Sequence, residues 1–277
     1  MVFRNIACLI LLSICLSAIT ACKKDNKGPG DGPVETDPPV LLRITKDVHD
    51  KIGGFYLAHP AHYNETSKSY PLIMFMHGAG QYGSGDADLP RLLTEGIPKL
   101  LKEKRFPASV ESGGRQYSFI VVAPQFKNFP DNDAVSAMIN YVKANYRVDT
   151  SRIYLTGFSI GGRVVCDYSA ENPRRVAAFV TMSGVSSYDI TGKSKIIGGS
   201  GLPAWGFHNR PDQVFPFEDT KDFINGVNTA DLLSRSRLTV FEDSTGLQQH
   251  DSWTKATDPK YREQGKNIYE WMLQYKR

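Results

Sequence analysis

The chain has 277 residues, 41% of them apolar and 22% charged, a globular balance that excludes a disordered or fibrous protein. That length suits one large α/β domain. The net charge of +4 comes from Lys and Arg scattered along the sequence, not gathered into a stripe, which argues against a nucleic-acid surface.

The N-terminus departs from this balance. Arg4 precedes an apolar stretch over 6–16, too short for a bilayer span, which takes about 20 apolar residues. A charged start, a short apolar run and small residues before a cleavage point predict a signal peptide over 1–21. Ile19-Thr20-Ala21-Cys22 resembles the lipobox of bacterial lipoproteins, which implies lipid on Cys22 at the mature N-terminus. Residues 22–39 carry Gly28, Pro29, Gly30, Gly32, Pro33, Pro38 and Pro39 among charges and read as a flexible tether holding a domain, 40–277, off a membrane. Lys23-Lys24-Asp25-Asn26 loosely resembles signals that send lipoproteins to the outer surface of Gram-negative cells, so a cell-envelope, outer-membrane location is expected. Cys8 and Cys15 would leave with the signal. Cys166 is then the sole thiol of the domain, with buried packing as its expected role.

Beyond residue 40, strands alternate with helices. Runs rich in β-branched and aromatic residues predict strands at 41–45, 54–58, 72–76, 118–123, 152–156, 177–182, 204–207 and 238–241. Those at 72–76 and 119–123 are continuously apolar, as strands buried on both faces of a parallel sheet must be. Helical spacing predicts helices at 132–146, 161–170, 218–227 and 261–275, with a further helix within 91–104 beside the active site, inside an insertion over 81–117. Such alternation predicts a mostly parallel sheet with helices on both faces.

Chemistry concentrates at Gly157-Phe158-Ser159-Ile160-Gly161, between a predicted strand and a predicted helix. A serine at so sharp a turn holds its hydroxyl clear of the backbone, and the helix start behind it offers free N–H groups to an oxyanion. Among six histidines, His49, His59 and His62 precede the core strands, and His77 opens the turn His77-Gly78-Ala79-Gly80, where it is expected to prop the loop. His250, on a loop after the last strand, is the expected base, because sites form at the carboxyl ends of parallel strands. The acid is expected to follow strand 204–207: Asp212 is the natural candidate, with Asp219 and Asp243 as alternatives. Backbone N–H groups of Ile160 and Ala79 are the expected oxyanion donors, with Gly78 and Gly80 supplying backbone freedom. No His, Cys and carboxylate cluster has metal-ligand spacing, so neither metal nor cofactor is expected; Asp131, with Asp133 nearby, reads as a helix N-cap. Tyr82, Phe126, Phe158, Trp205, Phe215 and Trp253 either face the site or pack the core.

Together Pro71 to Gly80, Val122-Ala123-Pro124-Gln125, Gly157 to Gly162, Phe207-His208 with Asp212, and His250 with Trp253 resemble the phospholipase/carboxylesterase and polyhydroxybutyrate-depolymerase/feruloyl-esterase-like branch of the α/β-hydrolases. Asn209 departs from it, since relatives often have glycine after the histidine. The order Ser159, Asp212, His250 is that of the α/β-hydrolase fold and differs from the orders of chymotrypsin and subtilisin. The resemblance implies a serine carboxylesterase that forms an acyl-enzyme, with feruloyl or acetyl esters of plant polysaccharides as a substrate class. A prolyl-oligopeptidase-type peptidase and a non-catalytic binding lipoprotein on the same scaffold are the alternatives.

Overall fold

A computed structural model of the protein describes residues 34–242 and 249–277; the predicted signal segment, Cys22, most of the predicted tether and Asp243 lie outside the described residues. Eight strands form one sheet: β1 (Val40–Ile44), β2 (Ile52–His59), β3 (Tyr70–Met76), β6 (Ile120–Phe126), β7 (Val148–Phe158), β8 (Ala178–Met182), β9 (Ala204–Asn209) and β10 (Arg237–Phe241). Their spatial order is β1-β2-β6-β3-β7-β8-β9-β10. From β6 to β10 every pairing is parallel, whereas β1 and β2 form an antiparallel edge. The sheet is therefore mostly parallel, as the alternation predicts, and all eight predicted strands are present with shifted ends.

The apolar runs of the central strands divide between two cores because successive side chains leave a strand on opposite faces. On one face Leu72, Met74, Met76, Val122 and Leu155 pack with α2 (Asn132–Asn145), α3 (Ile160–Glu171) and α5 (Phe217–Ala230). On the other, Ile73, Phe75, Val121, Tyr154 and Val180 pack with α1 (Gly96–Lys102), α6 (Trp253–Thr257) and α7 (Ile268–Met272). Trp205 lies in this second core, stacked on Phe207 at 4.8 Å and edge-on to Trp271 at 5.3 Å, which makes it packing and not a site residue. Fully burying one such large side chain contributes about 1.5–3 kcal/mol. Phe126 is also core. Cys166 is buried on α3, and burial pushes its thiol up to about 12, leaving it inert near neutrality.

Several elements differ from expectation, among them the short α6, which no sequence pattern announced. The C-terminal helix is confined to Ile268–Met272 rather than 261–275. Gln264 and Gly265 have φ of 50° and 78°, which no α-helix accommodates, and a capping box of Asn267 with Glu270 starts the helix after them. A helix with no sequence expectation, α4 (Ile190–Gly199), carries three glycines that mask its periodicity; Asp189 caps it by accepting from the Gly192 amide. Within the insertion, β4 (Val110–Ser112) and β5 (Arg115–Tyr117) pair antiparallel around Gly113-Gly114, both with positive φ, a two-residue hairpin turn. Residues 91–104 form 3-10 turns over Leu89–Thr94 followed by α1.

The insertion is riveted to the sheet by Gln125 of β6, which is fully buried. Its amide nitrogen donates to the Gln81 and Asp88 carbonyls at 3.0 Å each, and its oxygen accepts from the Gly85 amide at 2.9 Å. These bonds fix the chain that leaves β3 and passes the carboxyl edge of the sheet.

Candidate active site

β7 runs parallel to β3 and β8 and delivers Ser159 one residue past its end, at the start of α3. The turn is tight. Ser159 has φ 53° and ψ −127°, outside the regions that residues with a Cβ favour, a conformation that costs of order 1–3 kcal/mol. Its amide donates to the Met182 carbonyl at 2.9 Å, which pins the turn to the neighbouring strand. A Cβ on Gly161 would stand 2.1 Å from the Met76 carbonyl oxygen, so glycine there allows α3 to leave directly over β3.

The β9 and post-β10 loops bring two further side chains to Ser159. His250 Nε2 lies 2.9 Å from Ser159 Oγ, and His250 Nδ1 lies 2.7 Å from Asp212 Oδ2. Ser159, His250 and Asp212 thus form one hydrogen-bonded chain. Asp212 Oδ1 accepts from the Val214 amide at 2.8 Å and the Phe215 amide at 3.1 Å. Its side chain is fully buried. Burial alone would raise the Asp212 pKa, but hydrogen bonds from His208, His250 and the two amides outweigh it and hold the carboxyl far below the usual carboxylate range. Asp219, the alternative acid, lies in the first turn of α5 and makes no bond to His250.

Aromatic rings flank the His250 imidazole from two sides. Phe215 stacks parallel to the His250 ring at 5.8 Å, and Trp253 meets it edge-on at 5.2 Å. Trp253 in turn stacks on Phe158 at 4.3 Å and donates its Nε1–H to Glu95 Oε2 at 2.9 Å. Glu95 occupies the N-cap position of α1, so this bond links the insertion to the segment that follows His250. Beneath the site, Ser183 and Ser252, both buried, lie 2.9 Å apart through their hydroxyls.

Ala79 and Ile160 each open a helix, where no intrahelical carbonyl can accept their amides, and among the described residues no other hydrogen bond takes them. Gly78 is required for a reason other than backbone freedom: its φ is −78°, and a Cβ would stand 2.6 Å from the Phe158 ring. Gly80 has open space where a Cβ would lie, so nothing steric demands glycine there.

His77 props this loop from below. The Phe126 amide donates to its Nε2 at 3.0 Å, which leaves the proton on Nδ1 to bond the Gly78 carbonyl at 2.7 Å. Burial pushes its pKa down to about 4, although the Gly78 bond opposes this. The unfolded chain takes a proton here below the ordinary 6.5, whereas the folded chain resists until about 4, so stability is lost as pH falls through that window. His77→Gln is expected to lessen the loss of unfolding free energy between pH 7 and pH 4 by about 3 kcal/mol. Urea titrations of both proteins at the two pH values measure it; equal losses would show that His77 is not held neutral.

Sequence reasoning assigns no site role to Glu95, His208 or Asn209, the last two of which enter it only through the motif resemblance. His208 touches Asp212, and Asn209 donates from Nδ2 to the Gln249 carbonyl at 2.8 Å. Asn209, the departure from glycine, thereby ties the loop carrying Asp212 to the residue before His250. Both sit in the segment that carries Asp212, and that proximity was the available signal.

Comparison with known proteins gives a consistent picture. The model of the dienelactone hydrolase family matches residues 101–245. A bifunctional acetylxylan esterase/xylanase from Neocallimastix patriciarum is 29% identical over 115 residues, 38% of this chain and 16% of that protein. A thermostable esterase of known structure superposes with a TM-score of 0.61 at 23% identity, over 88% of this chain and 64% of that one. A ferulic acid esterase superposes with a TM-score of 0.56 at 14% identity, over 80% and 97%. The chain thus spans about a sixth of the curated relative and under two thirds of the thermostable esterase.

Proposed function

Since the chain belongs to the dienelactone hydrolase family of the α/β-hydrolase superfamily and is a hydrolase, we propose that it is a serine carboxylesterase working through Ser159, His250 and Asp212. The observation that carries this reading is the continuous hydrogen-bonded path from Ser159 Oγ through the imidazole to Asp212. Ser159 attacks the ester carbonyl while His250 Nε2 takes the hydroxyl proton. Asp212 stabilises the resulting imidazolium and holds Nδ1–H in place. The amides of Ala79 and Ile160 donate to the oxyanion; each such donor is worth roughly 3–4 kcal/mol in the transition state. As the tetrahedral intermediate collapses, His250 gives its proton to the leaving alcohol. Water, activated by the same imidazole, then cleaves the acyl-enzyme and restores Ser159.

Acetyl or feruloyl esters of plant polysaccharides are the proposed substrates, supported by the acetylxylan esterase relative and the motif resemblance. The signal peptide, lipid on Cys22, and a place at the outer membrane are likewise proposals, resting on the lipobox resemblance and the Gly/Pro-rich tether. A fluorophosphonate probe is expected to label Ser159 in the native protein and not in Ser159→Ala, read by intact-protein mass spectrometry. Acetylated xylan and feruloylated oligosaccharides are expected to be hydrolysed faster than an anilide of the same acyl group. Absence of labelling would end the nucleophile assignment, and faster anilide cleavage would favour a peptidase.

A further inference from the structure

His208, the penultimate residue of β9, lies four residues before Asp212 and is fully buried, yet no step of the proposed chemistry uses it. Its Nε2 lies 3.2 Å from Asp212 Oδ2 and 3.0 Å from the Phe215 carbonyl oxygen. Both partners are pure acceptors, so Nε2 must carry a proton. On the other side of the ring, Nδ1 lies 2.7 Å from Thr220 Oγ1 on α5, a hydroxyl able to donate to a neutral imidazole. Thr220 thereby sets the tautomer that Asp212 needs.

We infer that His208 is a positioning residue for the reaction, a second imidazole that clamps the Asp212 carboxylate so that its Oδ2 stays aimed at His250. Each carboxylate oxygen is then held twice: Oδ1 by two amides, Oδ2 by two rings. The same Nε2–H anchors the Phe215 carbonyl, and the Phe215 ring stacks on His250. One proton thus braces both the acid behind the base and the aromatic wall beside it. The inference rests on Ser159, His250 and Asp212 acting together. A loosened acid lets the base shift, and misplacement of about 1 Å can cost roughly 100-fold in rate.

The test compares hydrolysis of p-nitrophenyl acetate by the wild type, His208→Phe, His208→Gln, Asp212→Ala and the His208→Phe/Asp212→Ala double variant. His208→Phe is expected to lower kcat roughly 10- to 100-fold with KM changed by less than about threefold. His208→Gln, whose amide nitrogen can donate to both acceptors, is expected to recover most of that loss. In the Asp212→Ala background His208→Phe should cost almost nothing further, since residues acting as one unit are non-additive. Wild-type kcat in His208→Phe, or an equal loss with Asp212 already gone, would overturn the inference. Should His208→Phe fail to fold, Thr220→Val decides: a several-fold fall in kcat, absent when combined with Asp212→Ala, is expected, and unchanged kcat overturns it. An active Ser159→Ala would remove the esterase reading itself; an inactive Ser159→Ala beside a fully active His208→Phe would remove only the role given to His208.

Discussion

Ser159→Ala is expected to lower kcat/KM for a short p-nitrophenyl ester by on the order of 10⁴- to 10⁶-fold. Only the hydroxyl is lost, and its hydrogen-bond partner is His250 Nε2. Alanine keeps the Cβ that must tolerate φ 53° and ψ −127°, and the Met182 bond comes from the backbone, so the turn persists. Unfolding midpoints of the two proteins should therefore nearly coincide. Ser159→Gly is the informative companion: it is equally inactive but lacks the Cβ, and should gain about 1–3 kcal/mol by relieving the backbone. Turnover by the alanine variant within tenfold of wild type would mean that another group attacks the ester.

Asp212→Asn is expected to cost about 10³- to 10⁴-fold in kcat at neutral pH. The change is nearly isosteric, so the loss reports charge and proton position. Oδ2 now accepts from the imidazoles of both His208 and His250, whereas an amide has one oxygen to offer and an NH₂ that must face a donor. If the amide oxygen takes the two Val214 and Phe215 bonds, its NH₂ points at His250 Nδ1. The imidazole must then move its proton to Nε2, where it can no longer accept from Ser159. The native carboxylate also ties stability to pH, because its folded pKa is depressed below 3.8. That contribution is complete above the unfolded value and disappears as pH falls through the folded one. Asp212→Asn should therefore flatten the stability profile at acid pH as well as abolish the rate. A variant with near-native kcat would show that the acid lies elsewhere.

The sheet was legible because its strands are buried on both faces and so read as unbroken apolar runs, as at residues 72–76 and 119–123. The strand-to-helix serine was legible because glycines crowd it where a Cβ would collide. What the sequence concealed was set by contacts remote along the chain. α4 holds three glycines that propensity counts against it. The final helix starts late because Gln264 and Gly265 take positive φ, which periodicity cannot register. His208 follows the predicted strand 204–207 and enters only as part of a motif; its contact with Asp212 appears once β9 extends to Asn209 and the next turn folds back. Glu95 becomes part of the site only through Trp253, 158 positions away.

The bond from Asn209 to the Gln249 carbonyl binds two surface segments that the chain order separates by forty residues. Arg210 adds to it, its amide donating to the Phe241 carbonyl at the end of β10. These segments are therefore coupled, and a change in one is felt by the other. A laboratory graft that replaces 209–216 with a segment lacking the asparagine, while leaving the partner segment native, is expected to sever the tie and loosen the His250 loop. Diversification of this scaffold is expected to proceed by paired exchange of both segments, with the asparagine travelling alongside them.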